Sequence, residues 1–393
     1  MNIRLISRLA GYIVLLLILF SLTPVALGQQ AETEETWDDE HYFVRAKVVE
    51  VKDQGVTEAP TGSPTGSETN QLISVKITSG QHAGQMLIVP HVLMDHPGYD
   101  INVAHGDEVI LYIEPDGDNI GNAYIADYAR DKKLLYLAIV FMLLLAVIGG
   151  LKGVQSIISL AITGGAIFLV LLPLIFKGYN PISTTVLVSA AVATVTLTII
   201  GGISTKTLSA IIGTTGGVLV AGILAFIVGT GAQLTGFSDD EMHMLMFIPQ
   251  EINFDFRGIL FAGMIIGALG AVMDVGMSVA SAVEEIKKAN PLLRSGALIK
   301  AGMNVGRDIM GTMANTLILA YTGGAIPLLL IFMAYDTPMI KMLNLDLIAT
   351  EVIRALAGSI GLILAIPITS ITAGLLLGKG SKYSAVGSFK QQQ

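Results

Sequence analysis

No cysteine occurs in the 393 residues. Disulfides, thiolate metal sites, cysteine nucleophiles and a lipidated cysteine anchor are therefore excluded. Charge is scarce as well. Asp, Glu, Lys and Arg make up 14% of the chain, against roughly 25% in ordinary soluble domains. A net charge of -8 offers no basic excess for nucleic acid. No Gly-x-Ser-x-Gly, His-Glu-x-x-His or P-loop is present, so serine hydrolase, zinc protease and ATPase readings have no support. No cofactor or metal is expected, and no catalytic residue.

What remains is apolar. Hydrophobic residues account for 52% of the chain, and there are 43 glycines. Mean hydropathy is +0.68. A chain of this length would suggest two or three soluble domains, but this composition indicates a polytopic membrane protein, where glycine is frequent within helices. The charges cluster: between Gln29 and Asp131 lie 19 of the 31 acidic residues and 5 of the 23 basic ones. One polar block is acidic, and the rest is net basic.

Arg4 and Arg8 precede an apolar run from Leu9 to Phe20, with the small residues Ala26 and Gly28 after it. This predicts a signal peptide or signal anchor over 1–28, and either form exports the polar block behind it. An acidic linker is expected over 29–41. From Tyr42 the hydrophobic period becomes two. Ile73, Val75 and Ile77 alternate with polar residues, as do Val109, Leu111 and Ile113. Tyr42–Val51 alternates and then changes phase at Val49, as a bulged strand does. Met86–Val89 and Asn122–Ala126 complete five strands, with Gly80–Gly84 as a tight connection. The spacing predicts an exported, OB-like all-β barrel over 42–131. His91, Asp95 and His96 are ligand-type residues near one another, but no third strong ligand is close in sequence, and a polar loop explains them more simply. All six histidines fall in segments placed outside.

Seven apolar segments approach the roughly 20 residues needed per crossing: 134–150, 154–176, 182–203, 208–231, 258–283, 310–335 and 352–377. They predict a seven-helix membrane domain over 132–378 and a cytoplasmic tail over 379–393. With the barrel outside, Lys152, Lys206 and the cluster Lys287, Lys288, Arg294, Lys300 and Arg307 fall inside, while Ser238-Asp239-Asp240-Glu241 falls outside. The positive-inside rule supports that orientation. Leu160-Ala161-Ile162-Thr163-Gly164-Gly165-Ala166-Ile167 nearly matches Leu319-Ala320-Tyr321-Thr322-Gly323-Gly324-Ala325-Ile326. Either segments one to three and five to seven form a parallel repeat of the kind transporters use, or a limited apolar alphabet produced a coincidence.

In the fifth segment Gly263, Gly267, Gly270, Asp274, Ser278 and Ser281 share one helical face. In the sixth, Asp308, Gly311, Thr312, Asn315 and Thr322 form a comparable polar series. An ionisable residue in a membrane helix should face the bundle or water. Asp274, Asp308, Asn315, Ser278 and Thr312 are the candidates for an ion or substrate pathway. Both carboxylates are expected toward the inner side. Gly263, Gly267, Gly270, Gly323 and Gly324 are expected to serve helix packing. A structural hydrogen bond, or an ion pair with Arg307, would equally account for Asp274. For Asp308, a place in the first turn of a helix would suffice. Arg354 should snorkel, and Glu284 and Glu285 should pair with Lys287 and Lys288. The contexts of the two carboxylates do not match those of intramembrane aspartyl proteases.

Met273–Ala282 and Gly306–Leu317 resemble signature stretches of the YibE/F-like bacterial membrane proteins. Thr78–Gln85 and Gly153–Ser156 fit the same pattern, and the resemblance extends over Tyr42–Leu377. It implies a multi-spanning membrane architecture and no particular chemistry. The sequence thus favours a transporter or channel for a small solute or ion in the bacterial cytoplasmic membrane. The alternative is an envelope scaffold presenting its exported domain; the remote one is an intramembrane enzyme. The expected partners are the lipid bilayer and either a second copy or an envelope protein reached through the exported domain.

Overall fold

The computed structural model describes residues 41–58, 67–96, 98, 100–117, 119–238, 240–248 and 254–378. The expected signal segment, the acidic linker up to residue 40 and the tail lie outside the described residues. The chain divides into two compact units, 26–144 and 145–393 together with 1–25.

Five strands build the first unit: β1 (Tyr42–Glu58), β2 (Ser67–Ile77), β3 (Met86–Leu93), β4 (Glu108–Asp116) and β5 (Asn119–Tyr128). All neighbours are antiparallel, in the order β3-β2-β1-β4-β5. β3 and β5 approach one another, so the sheet curls into the nearly closed barrel expected. The alternating residues form its interior: Val44, Ala46, Val48, Ile73, Val75, Ile77, Val89, Val109, Leu111 and Ile113 are all buried. The phase change in β1 is a bulge between Val48 and Glu50, which turns Val49 outward. Gly80 and Gly84, both at positive φ, close the β2–β3 turn.

The helix α1 (Asp131–Ala166) begins against this sheet, within the first unit. Arg45 pairs with Asp131, and Lys132 lies 2.7 Å from Glu108. That hydrogen bond from Lys132 holds the Glu108 carboxyl below its usual range. A π-helical turn (Ile167–Leu171) and α2 (Leu172–Phe176) extend α1 into a 46-residue apolar stretch. At about 1.5 Å per residue this is roughly twice a bilayer core. Gly150 interrupts it with a non-helical backbone (φ 56°, ψ -133°). The carbonyl of Leu145 then lies so near Gly153 that a Cβ there would overlap it. Residues eight apart are about 12 Å apart in a straight helix, so the chain turns sharply between the first two predicted segments.

Then come α3 (Pro181–Gly201), α4 (Thr205–Gly231), the short α5 (Asp240–Leu245), α6 (Phe256–Ala289), α7 (Ser295–Gly324), α8 (Ile326–Ala334), α9 (Met339–Leu343) and α10 (Asp346–Gly378). Asn180, Ser204 and Asp255 cap α3, α4 and α6 by accepting backbone N–H bonds. Among the described residues, five helices are long and apolar enough to cross a membrane, and the α7–α8 pair, bent by 59°, makes six. Dividing the first at Gly150 yields the seven segments. α7 begins 15 residues before the predicted sixth segment and breaks at Ala325 inside it.

α10 packs most extensively on α4, then on α7 and α6. Glycine sets these approaches. A Cβ on Gly217 would lie 2.7 Å from the carbonyl of Gly361, and one on Gly361 would lie 2.6 Å from that of Gly217. α4 and α10 are therefore in backbone contact. Around that contact, Val272, Leu362, Ala365 and Ile366 form the apolar core.

Candidate functional site

α6 is the most enclosed of the candidate spans, yet it carries one open stripe. Gly263, Gly267, Gly270, Asp274 and Ser278 are all exposed. Sequence spacing placed them on one face, and so does the structure. The expected packing role does not hold for four of the five glycines. Gly263, Gly270, Gly323 and Gly324 have no heavy atom within 4 Å of where a Cβ would sit, and no helix among the described residues crosses them. Gly267 alone has a neighbour, the Tyr321 hydroxyl, 2.6 Å from that point. The packing glycines are others: Gly213, Gly217, Gly302, Gly306, Gly361 and Gly374.

Contacts between helices fix the depth of the carboxylates. On α10, Gly374, Ser370 and Ile366 meet Ile299, Gly302 and Gly306 of α7 in turn. Two residues further, Asp308 comes level with Leu364. On α6, Ala268 meets Gly358, and six residues further along both helices Asp274 also comes level with Leu364. Leu364 is at the middle of the predicted last segment, 352–377. Asp274 and Asp308 therefore sit near the mid-depth of the bundle, not toward its inner side. Asp308 is also far from the first turn of α7, which starts at Ser295, so a helix-dipole role does not account for it.

The two carboxylates share a depth but not a face. The buried positions of α7 are Leu298, Gly302, Gly306 and Leu317. Asp308 lies about 200° round the helix from Gly306. It is exposed together with Thr312 and Asn315 on the side turned away from α10. The Thr312 hydroxyl bonds within its own helix, to the Ile309 carbonyl at 2.9 Å.

Two cavities adjoin the α6 stripe and the break at the end of α7. One, of about 260 Å³, has Gly267, Gly270 and Met273 on its α6 side, Val188, Ser189 and Val192 on α3, and Thr163 and Ile167 opposite. Ser189 is 1% exposed, and its hydroxyl finds no hydrogen-bond partner among the described residues. The other, about 340 Å³, lies at the α7–α8 break and is lined by Tyr321, Thr322, Ala325, Glu351 and Leu356 among others. Glu351 pairs with Arg354 at 2.6 Å, both side chains about one-fifth exposed. Arg354 is thus an ion-pair partner, where snorkelling was expected. Sequence reading missed Glu351 and Ser189; three-residue spacing from Arg354 was the available signal for the first, and none existed for the second.

Both copies of the Thr-Gly-Gly-Ala-Ile motif end where α-helical geometry ends. After Ala166 the chain enters the π turn at Ile167. At Ala325 it breaks between α7 and α8. Thr163 of one copy and Tyr321, adjoining the other, both reach the Gly267 region of α6.

Elsewhere the expected charge pairs are rearranged. Glu284 bonds Lys206 at 3.1 Å and Lys288 at 3.5 Å, Glu285 bonds Lys288, and Lys287 instead donates to the carbonyls of Pro291 and Leu293. In the β unit, His91 meets the Ile101 carbonyl at 2.9 Å, and Asp100 accepts backbone N–H bonds from Met94 and His96. These contacts build a polar loop. Among the described residues no three His, Cys, Asp or Glu side chains gather as a metal site.

A family model described as YibE/F-like protein matches residues 137–379, and one described as YibE/F family N-terminal domain matches 44–128. Neither a curated protein nor a solved structure matches the chain.

Proposed function

The chain belongs to the YibE/F-like family of membrane proteins, and from that premise we propose that it moves a small solute or ion across the bilayer along the open stripe of α6. One observation carries this reading: Asp274 is exposed near mid-depth on a glycine-floored face. A charge facing lipid there costs about 3 kcal/mol or more. A hydrated groove removes that cost. The glycines leave room for a solute where side chains would fill the space. The two motif copies flank the same region with non-α backbone, which is tolerated at membrane depth where it is buried in protein or lines a cavity. A carboxylate floor suits a cation or a proton-coupled solute. The barrel is read as extracytoplasmic and the chain end after α10 as cytoplasmic, from the loop charges.

A second reading has its own support. The outer face of β3 leaves Met86, Ile88 and Val92 exposed, a surface on which an envelope scaffold could seat a partner. Flux separates the two. In proteoliposomes assayed with candidate cations across a pH series, the wild-type protein should conduct. Asp274→Asn should lose at least ten-fold of that activity with thermal stability near wild type, since Asn keeps hydrogen-bonding capacity but not charge. Unaltered flux in a stable Asp274→Asn protein would remove this residue from the path. No flux from the wild type would favour the scaffold.

A further inference from the structure

The outward face of α7 poses a separate problem. Asn304, Asp308, Gly311, Asn315, Ile318 and Thr322 are all exposed. They recur at alternating steps of four and three, the seam spacing of two helices wound about each other. Such a row cannot face lipid, because it holds a carboxylate and an amide near mid-depth. Among the described residues nothing packs on Asn304, Asp308, Gly311 or Asn315, because α7 lies on α10 and α6 through its opposite side; Ile318 and Thr322, further along, border the cavity shared with α10.

We propose that this seam is the contact between two copies of the chain, paired α7 to α7 about a two-fold axis along the membrane normal. Two copies inserted with the same topology can pair α7 only in parallel. In a parallel pair, Asp308, Asn315 and Thr322 occupy the positions that face their own equivalents. Each seam residue then enters a hole made by four residues of the other helix. For Asp308 that hole is Asn304, Arg307, Asp308 and Gly311 of the second copy. Arg307 is exposed and one residue before Asp308, so each Asp308 gains the guanidinium of the other chain. The layer holds two carboxylates and two guanidiniums and is neutral. For Asn315 the hole is Gly311, Ala314, Asn315 and Ile318. Its two smallest members admit a close approach, and the amides can donate and accept reciprocally, as a single buried Asn does in parallel dimers. Charge and hydrogen bonding are thus self-complementary along the seam. A two-fold contact requires this.

The seam is independent of transport, and its test does not use flux. The natural chain has no cysteine, so a single introduced thiol has no background. Full-length Asn315→Cys, oxidised in native membranes, should form a disulfide-linked dimer. Leu187→Cys, on the 71%-exposed Leu187 of α3, reports random collision and should cross-link several-fold less. In detergent, Arg307→Asp should shift the protein toward monomer by light scattering. The double variant Arg307→Asp, Asp308→Arg should restore the dimer, which a purely structural role for either residue would not produce. A folded Asn315→Cys protein that cross-links no better than Leu187→Cys would overturn the proposal. So would a monomeric Asn315→Cys protein whose thiol resists both oxidation and lipid-soluble maleimide, because another part of the same chain would then cover the face.

Discussion

Compare where each unit keeps its polar groups. In the β unit the interior is aliphatic throughout. Its ionic groups lie outside in pairs, as in Arg45 with Asp131, Lys132 with Glu108 and Arg130 with Asp127. In the helical unit Thr185, Ser189, Thr214, Thr369 and Ser370 are buried, and their hydroxyls have no partner among the described residues. Asp274 and Asp308 meanwhile stand exposed at the depth of Leu364. A buried hydroxyl left unpaired costs about 1–3 kcal/mol. In the β unit the Gln71 side-chain oxygen is the one buried polar side-chain atom without a partner among the described residues. The bundle carries polarity that its own packing does not use, which is the pattern expected where a solute, water or a second chain completes the structure.

The contrast can be broken most forcefully at its glycines. Gly361→Val would drive a side chain into the Gly217 carbonyl and Ala221, where backbone cannot yield. A loss of several kcal/mol, at the upper end of single substitutions, should appear as a large drop in thermal stability or a failure to accumulate. Gly270→Val meets nothing within 4 Å. It should leave the melting temperature within a few degrees of wild type yet obstruct the groove. Equal destabilisation by both would show that the stripe is ordinary packing.

A smaller effect tests the barrel. Residues 42–130 expressed alone should give β-type circular dichroism and a cooperative melt, because their core contains only their own residues. A disordered spectrum would show that the barrel needs the helices. Acid should then weaken it modestly. Glu108 is held below its ordinary range by Lys132, although the isolated piece ends before that residue. Asp100 is held low as well: burial alone would raise it, but N–H donors from Met94, His96 and Asp95 outweigh burial. A depressed folded-state pKa contributes stability above the unfolded value, which is lost as pH falls through the folded one. The piece should therefore hold its stability down to about pH 4 and lose some of it below. Asp100→Asn should flatten that loss.

Much of this was legible in the sequence, and the reasons differ by region. Alternation gave the strands, and the phase change at Val49 gave the bulge, because pleating converts sequence parity directly into inside and outside. Hydropathy gave the membrane segments, and Lys206 and Lys287 suggested their orientation. Periodicity also put Gly263 and Asp274 on one face. It could not say what lies opposite that face, so it read Gly263, Gly270, Gly323 and Gly324 as packing residues when the packing fell to Gly217 and Gly361. Depth was misjudged because the apolar run placed the start of the sixth segment at residue 310, whereas α7 runs back to Ser295 and the Asp308 turn is interior. The Glu351–Arg354 pair was missed because Glu351 falls one residue before the predicted segment 352–377, and Arg354 was read without it.

The most direct test of the groove is whether water reaches it. Gly270→Cys, in the full-length and otherwise cysteine-free chain, should react in intact proteoliposomes with a small, charged, membrane-impermeant methanethiosulfonate. Leu187→Cys, exposed on α3 where lipid is expected, should not. Modification of the Gly270→Cys protein alone is the predicted result. A Gly270→Cys thiol that stays unreactive with the charged reagent, yet labels with a lipid-soluble maleimide as the Leu187→Cys thiol does, would contradict the account.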